Sequence, residues 1–173
     1  MPDRWVRTVA LTVVVLVVSA CGGSPVSSPL ASATPVAATP APSIGATVEQ
    51  AAAAYLAFVT DWNAKVAVVN AQFDAAGDDP VKVAAAWTAY VAVDQDYIAG
   101  IDAIDFPSTV TGAVQAIRDA TDARIRIEQG LAADPTNLQL VDEMSAQAGS
   151  VAAAGADLRG VLGLPPVAAS PAP

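Results

Sequence analysis

The chain has 173 residues, 54% of them hydrophobic and 14% charged, with 17 acidic side chains against 8 basic ones and a formal charge of −9. That acid excess, with no basic stripe to offset it, repels phosphate backbones and argues against a nucleic-acid partner. A composition without histidine removes the imidazole general base, the Ser-His and Cys-His dyads and histidine metal ligands. A single cysteine rules out an internal disulfide framework and a Cys-type zinc site.

That cysteine sits at the edge of the only continuous apolar run. Arg4 and Arg7 form a short positive region, "VALTVVVLVVSA" follows, and Val18-Ser19-Ala20-Cys21 leads into Gly22-Gly23-Ser24. The apolar run is short for a membrane span, which needs about twenty residues, and suits the core of a signal peptide. The pattern resembles the lipobox of bacterial lipoproteins, with valine at Val18 where leucine is commonest. The resemblance implies that Val18, Ser19 and Ala20 direct removal of residues 1–20. It also implies that Cys21 is acylated and becomes the first mature residue. The membrane lipid is then a partner through Cys21, and the expected location is the extracytoplasmic face of the cell membrane, since two or more acyl chains hold a protein there durably. Loss of Asp3, Arg4 and Arg7 leaves six basic and sixteen acidic residues.

Residues 21–46 carry Pro25, Pro29, Pro35, Pro40 and Pro42 amid Ser, Thr and Ala, with no charge. Prolines at that spacing prevent helix, and little apolar bulk is present to form a core, so a disordered linker is expected. Residues 164–173, "LPPVAASPAP", are expected to form a tail of the same kind.

Residues 47–163 are expected to hold four helices. The first opens with Thr47 and Gln50 at capping-box spacing. It runs through Val48, Ala52, Tyr55, Val59, Trp62, Val66, Val69 and Phe73 at intervals of four and three. That interval marks one face of a helix. Gly77 ends it, Asp79 can cap the next, and Pro80 suits a first helical position. The second, about 80–104, carries Val83, Trp87, Tyr90, Asp94, Tyr97, Ile101 and Ile104. Pro107 punctuates before a third, about 108–133, with Val110, Ala113, Ile117, Ala120, Arg124, Ile127 and Leu131. Asp134-Pro135 repeats the start signal for a fourth, about 136–162, with Val141, Met144, Ala148, Val151, Gly155, Leu158 and Leu162, stopped by Gly163 and two prolines. Short links between amphipathic helices of similar length predict an all-α, antiparallel up-down-up-down four-helix bundle. The combination is similar to small alanine-rich helical lipoproteins of high-GC bacteria, on the strength of Leu162 to Pro166 at its end, and that likeness implies no particular activity.

No catalytic constellation is legible, no cofactor is expected, and the chain is read as a non-enzyme. The di-iron site of ferritin-like bundles needs Glu-x-x-His pairs, and only Glu49, Glu128 and Glu143 are glutamates. Asp74, Asp78 and Asp79 cluster, but not at the alternate-position spacing of an EF-hand, so capping and turn roles are expected and no metal site is assigned. Asp96, Asp102, Asp105, Asp119 and Asp122 are expected to form a solvated acidic face. Two polar residues interrupt the seams. Measured from a turn near Phe106, Asp94 should face Arg118, with Arg124 about a turn and a half beyond. A salt bridge fixing helix register is one reading of Asp94 and Arg124. A ligand patch beside Trp87, Tyr90 and Tyr97 is the other. The overall expectation is a non-enzymatic interaction or accessory module with a protein partner, the alternative being a binder of small ligands or metal ions at the cell envelope.

Overall fold

The computed structural model describes residues 46–167. The stretch read as a signal peptide, with Val18, Ser19, Ala20 and Cys21, and the expected linker up to residue 45 lie outside the described residues, as do residues 168–173. The described chain is all-α. Its helices are α1 (Val48–Ala76), α2 (Pro80–Asp102), α3 (Thr111–Ala133) and α4 (Leu138–Val161), and a 3-10 turn, Ser108–Val110, precedes α3.

Local chemistry sets most of these limits. Thr47 Oγ1 accepts from the Gln50 amide at 3.2 Å while Gln50 Oε1 accepts from the Thr47 amide at 2.9 Å, so a complete capping box starts α1. Asp79 Oδ1 accepts from the amides of Val81 and Lys82 at 3.0 and 3.3 Å, and Pro80 occupies the first helical position of α2. These bonds hold the Asp79 carboxyl below its usual range, the Lys82 amide contributing most. The fourth helix starts later than Asp134 suggests. Asp134 ends α3, and its Oδ1 is taken by the Thr136 amide and hydroxyl in a turn rather than by the first amides of a helix. Asn137 is the cap, accepting from the Leu140 amide at 3.3 Å.

At the other end of α4, Gly163 adopts φ 69°. Its amide donates to Gly160 O and that of Leu164 to Arg159 O, the paired bonds of a Schellman motif. Leu164 then packs on the core, and Pro165 O accepts from Arg159 Nε and Nη2 at 3.1 and 2.8 Å. The chain expected to leave the bundle at residue 164 is thus still tied down there.

Consecutive helices are antiparallel neighbours. Phe58 lies against Gly100 and Phe73 against Trp87, Asp102 pairs with Arg118, and Leu140 lies against Gly130. Two apolar clusters fill the interior. One lies at the end where α1 begins and α4 ends, and contains Tyr55, Val59, Tyr97, Ile101, Val110, Ile117, Leu158 and Leu162. The other lies toward the α1–α2 and α3–α4 loops, and contains Val66, Val69, Trp87, Tyr90, Val93, Leu131 and Met144. Trp62 borders both and donates from Nε1 to Val93 O at 3.2 Å. The expected acidic face is on the surface, where Asp96 pairs with Lys65 at 2.6 Å and Asp102 with Arg118 at 2.9 Å.

Close approach of α1 and α2 depends on Gly100, where a Cβ would overlap the Phe58 ring. Gly100→Ala is expected to lower stability by about 1–2 kcal/mol by urea denaturation, because overpacking outweighs the gain in helix propensity. Combined with Phe58→Ala, it should cost less than the two single changes added together.

Candidate functional site

Between the two apolar clusters lies a polar layer. Asp94 on α2 and Thr121 and Glu128 on α3 are fully buried, and Arg124 on α3 is 11% exposed at its side chain. Asp94 Oδ2 accepts from Arg124 Nε at 2.5 Å and Oδ1 accepts from Nη2 at 2.7 Å, a bidentate pair. The Arg124 guanidinium also lies over the Tyr90 ring, 5.7 Å from its centroid. Glu128, one helical turn after Arg124, brings Oε1 to 3.5 Å from Arg124 Nε, and neither of its oxygens accepts a hydrogen bond. Thr121 satisfies itself by donating to Ile117 O at 2.8 Å.

The charges do not balance if every group ionises, because one guanidinium faces two carboxylates. Burial pushes the Glu128 carboxyl up to about 9, and the Asp94 charge adds to the rise against the pull of Arg124. Burial also raises Asp94, against Arg124 and the bond to Glu128. For Arg124, burial opposes the charge most strongly, but Asp94, Tyr90 and Glu128 together outweigh it and raise it. The bidentate geometry assigns the negative charge to Asp94 and the proton to Glu128, which can then donate toward Asp94. Burial raises the phenols on either side, Tyr90 to about 12 and Tyr97 well above its usual value, so both are neutral.

Asp94 and Arg124 therefore meet, but Asp94 does not face Arg118. The hairpin is centred on the 3-10 turn Ser108–Val110 rather than on Phe106, which carries the register past Arg118. Arg118 pairs with Asp102 instead. Trp87 is not part of the polar layer. It lies two helical turns before Asp94 and packs on Phe73 and Tyr90 at 4.7 and 6.2 Å between centroids. Glu128 and Thr121 were absent from the predicted seam, and both are buried on it. The spacing Ile117, Thr121, Ile125, Glu128 could have found them, as could the place of Glu128 one turn beyond Arg124. On α4, Ala148 is exposed where the seam was expected, and Gln147 reaches inward instead, donating from Nε2 to Ala120 O at 2.7 Å.

With Asp94, Thr121 and Glu128 fully buried and Arg124 nearly so, the layer is placed to orient α2 against α3. A groove of about 260 Å³ at the start of α1 is lined by Ala46, Gln50, Ala51, Ala54, Ile104 and Asp105, and none of Trp87, Asp94 or Arg124 touches it. Among the described residues no group of three or more acidic, His or Cys side chains is placed to hold a metal ion. Nor is any described helix long and apolar enough to cross a membrane.

Fold and site together define an all-α four-helix bundle with a buried carboxylate–guanidinium layer. Comparison with protein-family models, with curated proteins and with solved structures returned no match.

Proposed function

We propose that the chain is a lipid-anchored lipoprotein of the extracytoplasmic membrane face, whose helical body acts as a non-enzymatic interaction or accessory module. The observation that carries the reading is the N-terminal order of Arg4 and Arg7, an apolar run, Val18-Ser19-Ala20 and the single Cys21. Charge, apolar length, small residues and thiol all agree with one export and acylation route. The uncharged, proline-rich stretch that follows serves as a tether between Cys21 and α1.

Two features of the folded body support the non-enzymatic part of the reading. Its buried carboxyls, Asp94 and Glu128, have no exposed surface, and Asp94 is engaged by Arg124 in holding α2 against α3. Several of its acidic surface side chains are capping or paired groups, Asp79 at the start of α2 and Asp96 and Asp102 in ion pairs.

The anchor is tested by expressing the full chain and its Cys21→Ala variant in a bacterial host that processes lipoproteins. The unaltered chain is expected to partition into detergent, with an intact mass that begins at Cys21 and includes acyl groups. The variant should remain uncleaved or be released into soluble fractions. Detergent-phase, mature behaviour of Cys21→Ala would exclude lipidation at this thiol.

A further inference from the structure

Two carboxyls from neighbouring helices, Asp94 and Glu128, meet in the interior and share one guanidinium, and neither has exposed surface. We propose that this layer is a proton-dependent latch: the α2–α3 seam closes around a single proton held between Asp94 and Glu128, and the bundle loosens when alkaline surroundings remove it.

The geometry requires a proton because the only nearby cation is already committed. Arg124 gives Asp94 two hydrogen bonds of 2.5 and 2.7 Å and reaches Glu128 only at 3.5 Å. An ionised Glu128 would be a buried charge with no donor on either oxygen, a state that is strongly unfavourable in a low-dielectric interior. A neutral Glu128 becomes a donor to the Asp94 carboxylate and leaves one net pair, Asp94 and Arg124.

Among the described residues no other element supplies the missing charge. From α2 the facing titratable groups besides Asp94 are the Tyr90 and Tyr97 phenols, both held neutral by burial. From α1 the nearest is Tyr55, beyond Tyr97, and it too is raised by burial. Lys65 of α1 is engaged on the surface by Asp96. From α4, Met144 and Gln147 pack toward α3 and do not titrate. Arg159 of α4 acts on Tyr55 and bonds Pro165 O.

The sign of the effect follows from where the proton is held. Between the ordinary carboxyl range, near 4.5, and about 9, the folded chain keeps a proton that the unfolded chain has released. Stability from this group is therefore complete at acid pH and declines as pH rises through that window. Burial raises Asp94 in the same direction, but the two carboxyls share one proton, which is counted once.

The test is urea unfolding of the full chain in detergent solution from about pH 5 to about pH 9, with Glu128→Gln alongside. The amide keeps the donor toward Asp94 and cannot titrate. The folding equilibrium of the unaltered chain should fall with pH, with a limiting slope of about tenfold per unit. Glu128→Gln should lack that component and be the more stable form at the alkaline end. Parallel pH profiles would overturn the proposal. If Glu128→Gln does not fold, infrared spectra of the unaltered chain decide. A buried protonated-carboxyl band at neutral pH that disappears on alkalinisation supports the latch, and the lack of such a band overturns it.

Discussion

Replacing Arg124 with methionine is expected to lower the unfolding free energy by about 3–5 kcal/mol, the range for removing one partner of a buried ion pair. The reason is the state in which it leaves Asp94. That carboxylate is fully buried and takes two hydrogen bonds, and its only counter-charge, from Arg124. Methionine restores much of the volume and none of the charge, so Asp94 must either remain an unpaired anion or take up a proton. The loss should accordingly shrink in acid, where protonation is cheap. Changing all three partners together, as Asp94→Leu, Arg124→Met and Glu128→Leu, should restore stability to near that of the unaltered chain or above it. Replacing a whole buried ionic layer with apolar groups removes the desolvation penalty along with the attraction. Denaturant unfolding of the single and triple variants separates these outcomes. An Arg124→Met variant as stable as its parent at neutral pH would mean that the pair is not desolvated.

The second large effect is expected at Leu158, where truncation to alanine should cost about 2–5 kcal/mol. Leu158 is fully buried in the cluster with Tyr55, Val59, Ile117 and Leu162. Its neighbours along α4 on the inner face are Ala154 and Gly155, which have no side-chain reach to fill the space left behind. Cavities that cannot collapse carry the higher cost. Leu164, brought back by the turn at Gly163, packs on the same cluster. Leu158→Ala should therefore also expose the Leu164–Pro165 segment to proteolysis, and limited digestion followed by mass measurement would detect this before global unfolding. An unchanged cleavage pattern would separate the turn from the core beneath it.

The all-α bundle, its four helices and several of their ends were legible from sequence because each rests on contacts within a few residues. Thr47 with Gln50 and Asp79 with Pro80 do in the structure what their spacing predicts. The three-four intervals of Tyr55, Val59, Val66 and Val69, and of Trp87, Tyr90, Asp94, Tyr97 and Ile101, mark faces that are indeed buried. Even the meeting of Asp94 with Arg124 was available as a possibility, since each breaks an otherwise apolar seam.

Tertiary structure decided the remainder. Which arginine Asp94 takes depended on how many residues the α2–α3 connection consumes, and the 3-10 turn at Ser108–Val110 moved the partner from Arg118 to Arg124. α3 packs against both α2 and α4, so its buried sector is wider than one seam. Thr121 and Glu128 lie inside that sector, where a hydropathy pattern places polar residues outside. Arg159 is buried for a similar reason, because the chain beyond α4 folds back and offers it the Pro165 carbonyl. Caps and apolar periods are properties of a single segment of chain. Register, and the burial of a charge, are properties of two or more segments whose relative placement no segment contains.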